Sequence, residues 1–238
     1  MCNTTVLDAD REMLDVMKES GCDLVRFGVE TATTRIKKQV LQRDFSNDTT
    51  QEVFEYCHKI GLRTFAFNIF ANPTETRAEM LETLAMNVRL KPNGLKVSLS
   101  YPFPGTEYHD IAKKLDLIDE TKHFHNFLHD TKIKWRDEDR LWIGKVRCLF
   151  WWWMNVYMEN EASPLYRELV NLPDRLTPDE WLDPETERRM WDFDDALSQI
   201  LKLRGITHYT IPFKDRPANS IPHEGSDSTL RRDVLDEH

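Results

Sequence analysis

The sequence predicts an α/β fold with a parallel sheet in its first half, followed by a mainly helical region. Three observations predict it. Apolar, strand-like runs alternate with amphipathic, helix-like runs at a spacing of roughly 30–40 residues, the signature of βαβ units. Glycines stand where helices of that pattern should stop, at Gly21 and Gly61. After about residue 115 the strand-like runs cease while helical periodicity continues.

Residues 2–6 (CNTTV) read as a short strand, and Asp8 as the cap of a helix carrying Met13, Leu14 and Met17. Residues 23–29 (DLVRFGV) read as a buried strand. A helix over 33–42 carries Ile36, Val40 and Leu41, and another runs from near Thr49 to Ile60 with Val53, Phe54 and Cys57 as its stripe. Residues 62–70 (LRTFAFNIF) are again strand. Thr76 and Glu79 have capping-box spacing, opening a helix through Met80, Leu81, Leu84 and Val88 to about Leu90. Residues 95–101 (LKVSLSY) alternate as a strand, and PFPGT turns the chain into a helix near 107–115.

In parallel βα architectures ligands bind at the carboxyl ends of the strands. Glu30 follows one predicted strand, Asn68 and Asn72 end the next, and Tyr101 closes the third. Glu30 therefore either stands at the rim of a site or caps the helix that follows it.

The chain has 238 residues, a hydrophobic content of 40% and a net charge of −9. That size allows one domain, or one domain plus an appendage, with a real core. The acidic balance argues against a nucleic-acid surface, which needs clustered Lys and Arg. No apolar run has the length of a membrane span and no signal peptide is visible. Cysteines 2, 22, 57 and 148 form no CxxC pair and no disulfide-like framework, so reduced, mostly buried thiols and a cytoplasmic location are expected.

Four stretches resemble radical S-adenosylmethionine enzymes of the branch with an N-terminal cobalamin-binding domain. They are CNTTVLDADREMLDVMKESGCDLVRFGVET, IKKQVLQRDFSND, GLRTFAFNIFANPTETRAEMLETL and LKVSLSYPFPGTEYHDIAKKL, together roughly residues 2–115. The resemblance implies a partial (β/α) TIM-like barrel, about the last four strands of a six-unit barrel. Residues 1–115 would hold the partial barrel, residues 116–214 a mainly helical C-terminal region and residues 215–238 a flexible tail. It further implies a C-terminal fragment or subunit of a cobalamin-dependent methyltransferase or cyclase. In that chemistry a 4Fe-4S cluster cleaves S-adenosylmethionine to a 5′-deoxyadenosyl radical.

By position, the resemblance makes Glu30, Arg43, Asn68, Ala71 and Tyr101 cofactor-binding residues. Glu30 would contact the ribose or methionyl part and Arg43 a carboxylate or ribose hydroxyl, since a carboxylate accepts from hydroxyls and a guanidinium forks onto a carboxylate. Residues 68–75 would pack on the adenine. Where the family usually shows GLPGET this chain has ANPTET, so Ala71 and Thr74 replace two glycines. The cluster loop CxxxCxxC is absent from the sequence, as is a cobalamin domain. The ligands of the 4Fe-4S cluster and of cobalamin are therefore expected on a missing N-terminal half, a partner polypeptide, with a small-molecule substrate unknown. The alternative is a non-catalytic remnant or partner-binding half-barrel.

Beyond residue 116, His125 and His129 have i, i+4 spacing near His123, and read as solvated or hydrogen-bonded histidines of a linking helix. Residues 141–158 (LWIGKVRCLFWWWMNVYM) read as one buried helix. Its three consecutive tryptophans cannot share a face, because successive helical residues are rotated by about 100°. Asp183-Pro184 opens a last helix with Met190, Phe193, Leu197, Ile200 and Leu201 as its stripe and Gly205 at its end.

Overall fold

The structure is a computed structural model and describes residues 1–122 and 131–210. The histidine-containing stretch 123–130 and the tail 215–238 lie outside the described residues. The chain divides into two compact units, Met1–Ile143 and Gly144 onward.

The first unit is built on four parallel strands, β1 (Cys2–Thr4), β2 (Leu24–Glu30), β3 (Arg63–Phe70) and β4 (Gly94–Leu99), ordered β1-β2-β3-β4. Each strand pairs with the next in sequence, the order that a barrel wall requires. The crossovers carry α1 (Arg11–Glu19), then α2 (Thr34–Gln39) and α3 (Asn47–Lys59), then α4 (Arg77–Leu90); α5 (Glu107–Lys114) follows β4. The α/β class and the parallel sheet followed by helices agree with the sequence.

Side chains alternate across the sheet with a period of two. Val25 and Phe27 of β2, Thr64, Ala66, Asn68 and Phe70 of β3, and Leu95, Val97 and Leu99 of β4 are buried on one face. Helices cover this face: the Phe54 ring of α3 lies 5.1 Å from Phe27, and Asn87 of α4 donates to Asn68 Oδ1 at 2.9 Å. The opposite face carries Arg26, Gly28, Phe65, Phe67, Ile69, Lys96 and Ser98. There the Arg26 guanidinium sits over the Phe65 ring at 5.8 Å, and a methyl group at Gly94 would collide with that ring.

Two helix starts differ from expectation. Asp10, not Asp8, caps α1, accepting from Met13 N at 2.8 Å, while Asp8 accepts from the Thr5 hydroxyl in a preceding turn. Ser46 caps α3, so that helix begins ahead of Thr49. The capping box of α4 forms as read, with Thr76 N donating to Glu79 Oε2 at 2.7 Å.

α6 (Asp137–Cys148) crosses the unit boundary, and α7 (Phe150–Val156), α8 (Ser163–Leu169), α9 (Pro178–Leu182) and α10 (Pro184–Leu203) follow. The aromatic run is two helices rather than one, broken at Leu149, whose ψ is 20°. Trp151 and Trp152 are both buried, and within the second unit they meet different surfaces. Trp151 stacks on Tyr209 at 5.9 Å, while Trp152 Nε1 donates to Asp194 Oδ1 of α10 at 2.6 Å. The stripe of α10 is correspondingly rotated from the one expected. Trp191, Asp194, Leu197, Ser198 and Leu201 are buried, whereas Phe193 and Ile200 are exposed. Burying Asp194 is tolerable because it accepts that hydrogen bond.

Candidate functional site

The carboxyl ends of β2, β3 and β4 converge on one rim. β2 reaches it through an irregularity: Gly28 pairs with Phe67, Val29 is extra, and Glu30 stands opposite Asn68. Glu30 takes a left-handed backbone with φ 64°, unusual for a residue with a side chain. Its carboxylate folds back over Gly28, where any side chain would collide with Oε1. Burial raises the Glu30 pKa, and the nearby Arg43 charge pulls it partly back. Glu30 and Arg43 are thus brought together, 13 positions apart in sequence.

Arg43 is placed by a residue that sequence reasoning missed. Arg43 N donates to Lys37 O at 2.8 Å. Lys37 is fully buried, donating from Nζ to Asn47 Oδ1 at 2.7 Å and lying over the Phe45 ring at 4.5 Å. Burial lowers its pKa to about 8. Its identity as a core cation has no local signal, because a lysine on α2 reads as solvated.

Beneath the rim lies a buried polar network, also missed. Glu75 Oε2 accepts from Asn72 N at 3.0 Å and Asn72 Nδ2 at 3.1 Å, and Thr31 Oγ1 donates to Glu75 Oε1 at 3.4 Å. Tyr108 OH donates to Asn72 Oδ1 at 3.2 Å and shares a hydrogen bond with the Ser100 hydroxyl. The ends of all three long strands are therefore tied to one carboxyl group. Burial pushes the Glu75 pKa up to about 8, so it is protonated at neutral pH. Burial also raises the Tyr108 pKa.

Ala71 and Thr74 retain the backbone of the glycines they replace, with φ of 61° and 64°. The loop is held from α2: Arg35 Nε and Nη2 donate to the two Glu79 oxygens at 3.0 and 2.8 Å, Nη1 to Thr74 Oγ1 at 2.8 Å and Nη2 to Thr74 O at 2.9 Å.

Asn68 is on the helix-covered face, its amide engaged with Asn87 and, at 3.4 Å, Lys96 O. The structure does not bring its side chain to the rim beside Glu30. Tyr101 lies just past β4 with its ring 4.7 Å from Phe103.

For an iron–sulfur cluster the donor set does not fit. Among the described residues no group of three or more Cys, His, Asp or Glu side chains could hold a metal. Cys57 is buried in α3 with its pKa pushed up to about 12, and Cys148 ends α6. Among the described residues no helix is long and apolar enough to cross a membrane.

With this geometry in place, the chain's relatives can be compared. Residues 1–86 match the model of the Radical SAM superfamily, so β1–β3 and their helices carry that superfamily's pattern. Over 109 residues the chain is 27% identical to an uncharacterized methyltransferase of Pyrococcus horikoshii, covering 46% of this chain and 24% of that protein. Over 70 residues it is 29% identical to the cytidylyl-2-hydroxyethylphosphonate methyltransferase of Streptomyces wedmorensis, covering 29% of this chain and 13% of that one. The matches thus span a quarter or less of these relatives. Among solved structures, the Elp3 of Methanocaldococcus infernus with an N-terminal deletion superposes with a TM-score of 0.48 at 16% identity, over 66% of this chain and 32% of that one.

Proposed function

We propose that this chain forms part of the S-adenosylmethionine pocket of a radical S-adenosylmethionine enzyme of the methyltransferase class. The observation that carries the reading is the pairing of Glu30 and Arg43 at the carboxyl ends of parallel strands, within the segment that matches the superfamily. A carboxylate accepts from ribose hydroxyls or the methionyl ammonium, and a guanidinium forks onto the methionyl carboxylate. The Glu75 network would hold the three strand ends, and hence the rim, in fixed register. The methyltransferase names of both relatives support the class.

No radical-forming step is derived from these residues, because their thiols do not assemble a cluster site. The cluster thiolates, and cobalamin if the enzyme is of that branch, are proposed to come from chain outside these 238 residues. The four cobalamin-branch-like segments support that part of the reading. A second reading, a nucleoside- or partner-binding half-barrel without radical chemistry, is favoured by the same donor set.

The test is equilibrium dialysis of S-adenosylmethionine against the protein in its complete assembly. Glu30→Ala should weaken binding about tenfold, equivalent to about 1.4 kcal/mol, with an unchanged melting temperature. Unaltered affinity in this variant would remove Glu30 from the pocket, and retained affinity in Arg43→Ala as well would remove the reading.

A further inference from the structure

Cys2 and Cys22 are 20 positions apart, and α1 lies between them. The parallel pairing of β1 with β2 reverses that separation. Cys2 is in register with Val25, and Cys22 stands on the turn that enters β2, its thiol donating to Leu24 O at 3.4 Å. The Cys2 and Cys22 thiols consequently hydrogen-bond to each other. Cys22 is buried and Cys2 is half-buried, so one sulfur of the pair is open to a reagent and the other is held behind it. That is the arrangement of an attacking thiol with a resolving thiol. Cys57 is fully buried and Cys148 lies in the other unit, so the pairing is selective.

We propose that Cys2 and Cys22 form a dithiol modification site that a low-molecular-weight disulfide, such as oxidised glutathione, converts to an intramolecular disulfide. The Cys2 thiolate attacks one glutathione sulfur, forming a mixed disulfide and releasing one glutathione thiolate. The Cys22 thiolate then attacks the Cys2 sulfur, closing the protein disulfide and releasing the second glutathione. The protein loses two electrons and two protons; oxidised glutathione gains both pairs as two thiols. The bridge would enclose α1 and tether the short edge strand β1 to the start of β2. The inference is independent of the cofactor reading.

The experiment treats the folded full chain with oxidised glutathione, blocks remaining thiols with iodoacetamide and digests with trypsin. Cleavage after Arg11, Lys18 and Arg26 should yield peptides 1–11 and 19–26 joined by a disulfide that dithiothreitol removes. Cys22→Ser should stop at a glutathione adduct on Cys2. The oxidised form should melt higher, since the cross-link restricts the unfolded chain. Full alkylation of both cysteines, or a bridge from Cys2 to Cys148 in equal amount, would overturn the proposal. So would a lower melting temperature, because closure would then strain the fold.

Discussion

Glu75 is the residue on which the rim's electrostatics turn. Its pKa is near 8 folded against an ordinary 4.5, so between these values the folded chain holds a proton that the unfolded chain has released. Stability is therefore full below about pH 4.5 and is lost as pH rises towards 8, by at most about 1.4 kcal/mol per pH unit. Glu75→Gln, which keeps an amide in place of the neutral acid, should flatten that slope in urea unfolding measured from pH 5 to 8. An identical slope in both proteins would show that Glu75 is not the titrating group. Lys37 acts with the opposite sign in another window. Its folded pKa is lowered to about 8 from 10.5, so stability rises as pH climbs from 8 to 10.5. At Ala71 and Thr74 the chain keeps a glycine's backbone while adding Cβ atoms, which narrows backbone approach to any ligand at that loop.

At the scale of elements, α4 shows local chemistry obeyed at one end and strained at the other. Its N-terminus is closed by the reciprocal Thr76–Glu79 box, written in the sequence. Its C-terminal residue Lys91 is exposed and left-handed at φ 48°, a conformation that costs an L-residue roughly 1–2 kcal/mol. Lys91→Gly should raise stability by about 0.5–1 kcal/mol, less than the full strain because glycine has more entropy to lose. Chemical denaturation checks this, and a fall in stability would mean the left-handed turn carries no strain. β2 likewise ends on a bulge that turns the carboxylate of Glu30 over Gly28, so the strand's last residue faces the rim rather than the helices.

Across the first unit, stability rests on the sheet face that the helices cover. Phe54 is fully buried against Phe27, so Phe54→Ala should cost about 3–5 kcal/mol. Against a usual total of about 5–15 kcal/mol, that should lower the melting temperature sharply or unfold the unit. A loss below about 1 kcal/mol would show that the α3–β2 contact contributes little. The sequence by itself determined the strand–helix order, the parallel sheet, the α4 and α10 caps and the position of Glu30 after β2. These follow from period-2 and period-3.6 patterning and from capping residues three positions apart, all local. Only the tertiary structure decided that Glu30 meets Arg43, that Lys37 and Glu75 are buried, that Asn68 turns to Asn87, and that α10 buries Asp194 in place of Phe193. It also decided that Cys2 meets Cys22. Each of these depends on which strand or helix lies alongside, and that register is fixed by burying the whole apolar face at once, a quantity no short window of sequence contains.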